Sequence, residues 1–361
     1  MEARHYITIV VVVIALQLLL LNFSRTTAWL FNLSKRGRWL VTVSSYVTVN
    51  LFILLHFTQI LRSFRLNALI LLFLLFALFV RIATAAVYFA GKRFMDSRKL
   101  NNALRIMYPI GFLALVGFSV YNAYTPTIVR YTVTLDKPMQ PTRIGVASDL
   151  HLGKLFGGKQ LDQLAEIFNK EKVDLILLPG DIMDDNLNYY FAENMRPHLA
   201  KLKAPLGTYA TLGNHDFFGA QNQIAKEMRA AGIQVLWDQA VRLDGKFTII
   251  GRNDEMNKTR PNTEQLLEGV NSNLPVFLMD HRPTQIEQHA KLPIDIQVSG
   301  HTHNGQVFPA NIMTSAMYVL SYGYEKIGNG HFFVTSGYGF WGIPMRLGSQ
   351  SEVVIIDVKG K

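Results

Sequence analysis

The chain has 361 residues, of which 49% are hydrophobic, and a formal net charge of +10 at pH 7. This hydrophobic share is high for a wholly soluble protein, and the length allows more than one structural unit. The absence of cysteine excludes disulfide bonds and zinc sites built on cysteine ligands.

Four long apolar segments near the start of the chain predict four membrane-spanning helices. They cover residues 7–23, about 40–61, about 68–90 and about 107–123. Each segment is close to the roughly 20 residues that a helix needs to cross a bilayer. We interpret the first as a retained anchor, because it is too long for a signal peptide and three further spans follow it. Arg81, inside the third span, is expected to pair within the bundle or to snorkel, with contact to a lipid phosphate as the alternative.

The positive charge belongs to the membrane region. Residues 1–130 hold 14 Lys and Arg against two acids, whereas the remaining 231 residues carry a net charge of −2. No nucleic-acid partner is therefore expected. Nine basic residues lie in the loops after the first and third helices, and the opposite side has only Arg4, Arg62, Arg65 and Arg130. The positive-inside rule then predicts a multi-pass protein of the bacterial inner membrane whose C-terminal domain is extracytoplasmic.

The rest of the chain predicts a layered α/β domain. We expect a transmembrane region at 1–124, a connector at 125–141 with a strand at Tyr131–Leu135, and a second domain at 142–361. Helical spacing of apolar residues marks Lys159–Glu171 and Gln221–Ala231 as helices between strands. Further strands, with more antiparallel pairing, are expected at Val241–Gly251, Phe332–Ser336 and Val353–Val358.

Five short apolar runs in the second domain each end at potential metal ligands. The runs are Ile144–Ala147, Val173–Leu178, Tyr209–Leu212, Pro275–Met279 and Ile294–Val298. Their ends carry, in order, Asp149 and His151; Asp181; Asn214, His215 and Asp216; Asp280 and His281; and His301 and His303. Because functional groups gather at the carboxyl ends of strands in α/β sheets, we expect these side chains to converge.

Seven of these residues form the predicted metal site. Carboxylate, amide and imidazole donors without thiolate suit Mn, Fe or Zn, and manganese is favoured among them. Asp181 is the natural bridge between two divalent ions. Asp149, His151 and His303 could complete one site, and Asn214, His281 and His301 the other. Water shared by the two ions would become hydroxide near neutral pH, a nucleophile for phosphorus.

The two residues after Asn214 are the predicted catalytic pair. His215 follows a proposed ligand directly, so it is better placed to bind a phosphoryl oxygen or to protonate the leaving oxygen. Asp216 could orient His215. Asp184 and Asp185 are expected to be solvated loop acids.

These motifs resemble those of the calcineurin-like metallophosphoesterase superfamily. The resemblance covers residues 142–358, in the family's order, with every metal-ligand position filled. Residues 300–306, with Thr335, Ser336, Gly337, Gly342, Pro344 and Arg346, are similar to the bacterial membrane-anchored branch, where Gly often stands in place of Asn304. The resemblance implies a four-layer α/β/β/α sandwich around a dinuclear metal centre, and hydrolysis of phosphomonoesters, phosphodiesters or pyrophosphates.

Membrane anchoring points to a lipid-linked or envelope substrate and to the bilayer as a partner. Two apolar stretches after the last ligands are core or, alternatively, a rim for an acyl or prenyl chain, with Trp341 and Arg346 as substrate-binding residues. The stretches contain Phe308, Ile312, Met313, Met317, Tyr318 and Leu320, and then Phe340, Trp341, Ile343 and Met345. A cytoplasm-facing UDP-diacylglucosamine-type pyrophosphatase and a catalytically inactive membrane sensor or scaffold are the alternative functions.

Overall fold

The computed structural model describes residues 2–61, 64–243 and 246–361. Its residues separate into two compact units, Met1–Phe118 and Ser119–Lys361. The division falls inside the fourth helix, a little before the boundary at residue 124 that the sequence predicts. Arg62, which contributes to the predicted orientation, lies outside the described residues.

The first unit contains the four predicted apolar helices. They are α1 (Glu2–Leu30), α2 (Lys35–Phe57), α3 (Phe64–Gly91) and α4 (Ser97–Tyr124), and all four are long and apolar enough to cross a membrane. Capping explains two of their starts. The Ser34 hydroxyl accepts a hydrogen bond from the Gly37 amide before α2, and Asp96 Oδ1 accepts from the Arg98 and Lys99 amides at the start of α4.

The second unit is built from two six-stranded sheets. Its strands are β1 (Thr127–Leu135), β2 (Thr142–Val146), β3 (Leu175–Pro179), β4 (Thr208–Thr211), β5 (Gln234–Val235), β6 (Gln239–Leu243), β7 (Phe247–Arg252), β8 (Val276–Asp280), β9 (Ile296–Ser299), β10 (Gly323–Ile327), β11 (Gly330–Val334) and β12 (Glu352–Gly360). The strand order is β1-β12-β2-β3-β4-β5 in the first sheet and β10-β11-β9-β8-β7-β6 in the second.

Helices cover the outer faces of the sheets. They are α5 (Gly158–Glu171), α6 (Asn188–Ala192), α7 (Arg196–Leu199), α8 (Gln221–Ala230), α9 (Thr263–Leu266) and α10 (Ile286–His289). A further helix, α11 (Ala310–Met317), contains no buried residue. Successive residues of a strand point to opposite faces of its sheet, so the strands contribute to three apolar layers: one between the sheets and one on the outer face of each sheet. In β3, Leu175 and Leu177 face the core between the sheets, while Ile176 and Leu178 face the helices. In β8, Phe277 likewise packs between the sheets and Leu278 packs on the other outer face. The predicted α/β/β/α sandwich is confirmed.

The sheet pairing places the ends of the ligand-bearing strands side by side. Strands β2, β3 and β4 are parallel neighbours in one sheet, and β8 and β9 are parallel neighbours in the other. The expected antiparallel pairing occurs between β6 and β7, β10 and β11, and β12 and β2.

The segment expected to be a connector is part of the second domain. Strand β1 pairs in parallel with β12 over nine residues, from Thr127 opposite Glu352 to Leu135 opposite Gly360. Val133 and Leu135 lie in the core between the sheets. The domain therefore includes the residues before Thr142, because β1 covers the edge that β12 would otherwise expose.

Three histidines of the second unit outside the ligand motifs, His198, His289 and His331, have structural partners. His289 is 1% exposed, its Nδ1 lies 2.8 Å from Gln297 Oε1, and its Nε2 lies 2.8 Å from the Thr263 hydroxyl. The Gln297 oxygen can only accept, so Nδ1 carries the proton and Nε2 accepts from Thr263. Burial lowers the pKa of His289 from 6.5 to about 4.

We predict that neutral His289 makes folding dependent on pH. Because its folded-state pKa lies below its unfolded value, its contribution is complete above about pH 6.5 and is lost as the pH falls toward 4. The full loss is roughly 3 kcal/mol. Chemical unfolding of wild type and His289→Gln at about pH 7 and about pH 5 tests this. The variant should lose less stability on acidification, and parallel losses in both proteins would contradict the prediction.

Candidate metal centre

The carboxyl ends of five strands deliver the predicted ligands to one place. Ligand atoms of Asp149, His151 and His303 lie within 4.8 Å of one another, and so do those of Asp181, His281 and His301. His151 Nε2 is 3.2 Å from His303 Nε2, and His281 Nε2 is 3.1 Å from Asp181 Oδ2. Six of the seven expected donors, all except Asn214, therefore lie in two adjoining clusters.

Asp181 lies between the two clusters. Its Oδ2 is 3.8 Å from His151 Nε2 on one side and 3.1 Å from His281 Nε2 on the other. Its Oδ1 accepts a hydrogen bond of 2.8 Å from the His215 amide. This position between the clusters is the one that a bridging carboxylate needs.

The donor set fits a pair of metal ions. Asn214 Oδ1 is a buried atom that makes no hydrogen bond within the described part of the chain. Buried polar atoms without partners are costly and rare in native proteins. His281 donates from Nδ1 to the Pro179 carbonyl at 2.8 Å, which directs Nε2 toward the cluster.

Backbone conformation at the site is unusual. Five of the seven predicted ligands have φ between 44° and 71°, the left-handed region; they are Asp149, His151, Asp181, His301 and His303. Such conformations cost of order 1–3 kcal/mol each for residues with a Cβ and cluster at functional sites. The loop conformations that aim these side chains inward are therefore stabilised by the surrounding packing.

Glycines leave room for the carboxylates. A Cβ on Gly213 would lie 2.2 Å from Asp181 Oδ1, and one on Gly300 would lie 2.1 Å from Asp149 Oδ2. The glycines of the Gly-Asn-His-Asp and Gly-His-Thr-His motifs are thus required by close approach to two ligands.

The charges of the cluster are strongly coupled. Burial raises the pKa of Asp149. Burial also acts to raise that of Asp181, but the neighbouring histidines outweigh it and lower its pKa. Burial would lower the pKa of His281, yet Asp181 and Asp149 raise it to about 10. Burial together with the positive charges of His281 and Arg282 lowers the pKa of His301 to about 3. The carboxylates thus depend on positive charge close by.

His215 stands beside the metal-binding clusters with an acidic partner. Its Nδ1 lies 2.5 Å from Asp185 Oδ1, and its ring centroid lies 4.9 Å from that of His151. Burial acts to lower the pKa of His215, but Asp185, Asp181 and Asp184 outweigh it and raise the pKa. The interaction with Asp185 leaves Nε2 as the nitrogen that can reach a substrate.

Comparisons with known proteins agree with this geometry. Residues 142–305 match the sequence profile of the calcineurin-like phosphoesterase family. A metallophosphoesterase of Aquifex aeolicus is 32% identical over 262 residues, which cover 69% of this chain and 99% of the relative. One from Helicobacter pylori strain J99 is 30% identical over 74% of each chain. The chain belongs to the calcineurin-like phosphoesterase family.

This membership makes the protein a metal-dependent phosphoesterase. A transmembrane protein with a metallophosphoesterase domain from Bos taurus is 30% identical over 278 residues, which cover 70% of this chain and 61% of that protein. With its four long apolar helices, this calcineurin-like phosphoesterase is a membrane protein.

The departure from the family's membrane-anchored branch is conformationally mild. Asn304 has φ 48° and ψ 42°, in the left-handed region where Gly is favoured and Asn is the next best tolerated residue. The turn after His303 is therefore kept without a glycine.

Asp216 does not orient His215, contrary to the sequence-based prediction. It is fully buried, and its carboxylate accepts hydrogen bonds from the amides of Ile182, Met183 and Gly213 at 3.0–3.2 Å. Asp216 thus joins the loop after β3 to the loop after β4. The partner of His215 is Asp185, which is an exposed loop acid as expected and in addition contacts the imidazole.

Arg346 does not bind substrate, since it is fully buried. Its Nη2 donates to the carbonyls of Ser336 and Gly339 at 2.7 and 2.6 Å, and its Nη1 donates to the His303 carbonyl at 3.3 Å. Burial lowers its pKa to about 10. Arg346 therefore holds the loop that carries His303 in position. The sequence did not predict this role, because it does not show that Arg346 is buried.

The first apolar stretch is mostly surface and the second is divided. Exposed apolar side chains next to the clusters form a patch that we call the apolar rim: Phe308, Ile312, Met313, Met317, Val319 and Trp341. Leu320 and Phe340 belong to the core. The Trp341 ring centroid lies 6.1 Å from that of His215, and the Tyr318 ring centroid lies 6.4 Å from that of His301.

We predict that Gly213→Ala weakens metal binding. The added Cβ would meet Asp181 Oδ1 at 2.2 Å and force the carboxylate to move. Displacing a ligand in this way should lower manganese affinity on the order of ten-fold or more. Metal per chain after dialysis, measured by mass spectrometry, is the readout. Gly117→Ala is the control, because a Cβ there meets nothing within 4 Å. Equal metal content in both variants would contradict the prediction.

Proposed function

We propose that the protein is a membrane-anchored phosphohydrolase with two divalent metal ions, preferably manganese, that cleaves a phosphoester or pyrophosphate bond of a lipid-linked or envelope substrate. The observation that carries the proposal is the convergence of six oxygen and nitrogen donors in two clusters, with Asp181 between them. The positive-inside distribution of Lys and Arg supports an extracytoplasmic domain on a bacterial inner membrane.

The seven ligands divide into two sets in this proposal. Asp149, His151 and His303 would hold one ion, Asn214, His281 and His301 the other, and Asp181 would contact both. When bound, such ions activate water as a nucleophile and neutralise charge on the phosphoryl group. The buried Asn214 Oδ1, which has no hydrogen-bond partner among the described residues, would gain one at the same time.

His215 would act on the substrate through Nε2. With Nδ1 held by Asp185, Nε2 can donate a proton to a phosphoryl oxygen or to the oxygen of the leaving group. Asp185 would fix the ring orientation and stabilise the protonated imidazole, which makes it a positioning residue. Trp341, close to His215 and 43% exposed, would line the path by which the substrate reaches this nitrogen.

We predict that substitutions of Asp181, His215 and Asp185 lower the activity by decreasing amounts, in that order. Asp181→Asn should abolish hydrolysis of a chromogenic phosphodiester with added manganese, because it weakens the metal pair itself. His215→Ala should lower kcat about 100-fold or more, since a proton donor is lost. Asp185→Asn should lower kcat about ten-fold, and the last two variants should keep their metal content.

A second His–Asp pair provides the matched control. His198 Nδ1 lies 2.8 Å from Asp162 Oδ1, a pair outside the metal-binding clusters. Asp162→Asn removes the same kind of interaction and should leave kcat unchanged. Wild-type activity in both Asp181→Asn and His215→Ala would overturn the assigned chemistry, and an inactive wild-type protein with bound metal would favour a sensor or scaffold.

The apolar rim supports a lipid-linked substrate. Met317 is 71% exposed and Met313 64%, and helix α11, which carries both, contains no buried residue. Exposed apolar groups concentrated beside a catalytic centre mark an interaction site. An acyl or prenyl chain bound along this surface would bring its phosphoryl group toward His215 and the metal ligands.

We predict that polar substitutions on the apolar rim weaken the binding of lipid substrates and not that of small soluble substrates. Met317→Gln and Trp341→Gln should each raise KM for a lipid phosphodiester about five-fold, because each loses roughly 1 kcal/mol of apolar contact. KM for a small soluble phosphodiester should stay unchanged. Phe191→Gln, an exposed apolar position on α6, is the control. Equal losses on both substrates would remove the lipid-binding role of the rim.

A further inference from the structure

A cationic cluster surrounds Trp29 near the end of α1, within the first unit. The guanidinium carbons of Arg81 and Arg105 lie over the Trp29 ring, 4.5 and 5.9 Å from its centroid. The Trp29 Nε1 donates a hydrogen bond of 2.8 Å to Asn101 Oδ1. The indole is thus fixed in place, with two cations held against it.

No carboxylate of the described residues lies within 4 Å of either guanidinium. The Asp96 carboxylate is used in capping α4, where it accepts from two backbone amides. Among the described residues, Arg105 Nε is buried without a hydrogen-bond partner, and Nη2 makes a long contact of 3.4 Å with Asn32 Oδ1. Cation–π contact compensates part of the cost of partial burial but does not neutralise charge.

Trp29 places the cluster at one end of the apolar span of α1, Val10–Leu30, and tryptophan prefers the membrane interface. Arg81 lies ten residues before the end of α3 at Gly91, roughly 15 Å along the helix axis. A long arginine side chain at such a depth can extend its guanidinium toward the interface.

An apolar groove begins next to the cluster. It has a volume of about 370 Å³ and is lined by α1, α3 and α4, including Leu30, Ala77, Pro109 and Leu113. Arg105 precedes Pro109 by one helical turn, so the two share a face of α4. Thr26 also lines the groove, and its hydroxyl is buried without a hydrogen-bond partner among the described residues.

We propose that this region binds one acidic glycerophospholipid of the surrounding membrane. Arg81 and Arg105 contact the phosphodiester, and one acyl chain occupies the groove, where the Thr26 hydroxyl can donate to the glycerol ester. The charge decides the ligand: two guanidinium groups without a protein carboxylate complement an anionic head group. A zwitterionic lipid brings its own ammonium group and gains less.

Native mass spectrometry of the full chain in detergent tests the proposal. Titration with phosphatidylglycerol and phosphatidylcholine should give one site that prefers phosphatidylglycerol at least five-fold. Arg81→Gln and Arg105→Gln should each remove most of this preference. Arg98→Gln, an exposed arginine in the first turn of α4, should retain it. Thr27→Phe, which fills the groove without changing charge, should weaken binding of phosphatidylglycerol.

Three outcomes would overturn the proposal. The first is an equal affinity of wild type for the two lipids, and the second is an equal loss in Arg98→Gln and Arg105→Gln, which would indicate surface charge alone. The third is full displacement of the lipid by excess inorganic phosphate, which would indicate a site for free anions. Arg81→Lys keeps the charge, and retention of phosphatidylglycerol binding in this variant with loss in Arg81→Gln separates ligand binding from misfolding.

Discussion

The burial of two carboxylates at one point is the constraint on which the second domain depends. Asp149 and Asp181 are almost completely excluded from solvent. An ionised carboxylate in such a position is tolerated only with hydrogen bonds and positive charge around it. The backbone supplies part of this, since the His301 amide donates to Asp149 at 3.1 Å and the His215 amide donates to Asp181 at 2.8 Å. Imidazoles and, in the proposed state, two cations supply the rest.

The same constraint explains the form of the loops. To direct several donors at one point within a few ångströms, the chain must turn sharply after each strand, and most of the ligands do so in the left-handed conformation. Glycine appears where a side chain would collide with a carboxylate, as at Gly213 and Gly300. Asp216 and Arg346 have related structural functions, because each holds a ligand-bearing loop through backbone groups and neither faces a substrate. The strain of the site is balanced by this supporting shell.

The sequence predicts what is local and misses what is assembled from distant segments. The strand–ligand units could be identified because a buried strand followed by a turn is encoded within about ten residues. The pairing of β1 with β12 could not, since it joins residues more than 200 positions apart. The orienting role predicted for Asp216 was wrong for a similar reason. Adjacency in sequence favoured Asp216, but the residue that contacts His215 is Asp185, which lies 30 positions earlier in the chain at a left-handed turn with φ 66°.

The arginines of the two units differ in which groups compensate their positive charge. Arg346 is fully enclosed, and carbonyl oxygens of its own domain accept from both of its terminal nitrogens, while its Nε makes no hydrogen bond within the described part of the chain. Arg81 and Arg105 are less buried, yet they have an aromatic face and an amide where a carboxylate would be expected. In a membrane the anion that pairs with an arginine can come from the lipids, because their head groups contain phosphate. The first unit can therefore use an acidic lipid as a component of its packing, as the second uses metal ions to complete its buried carboxylates.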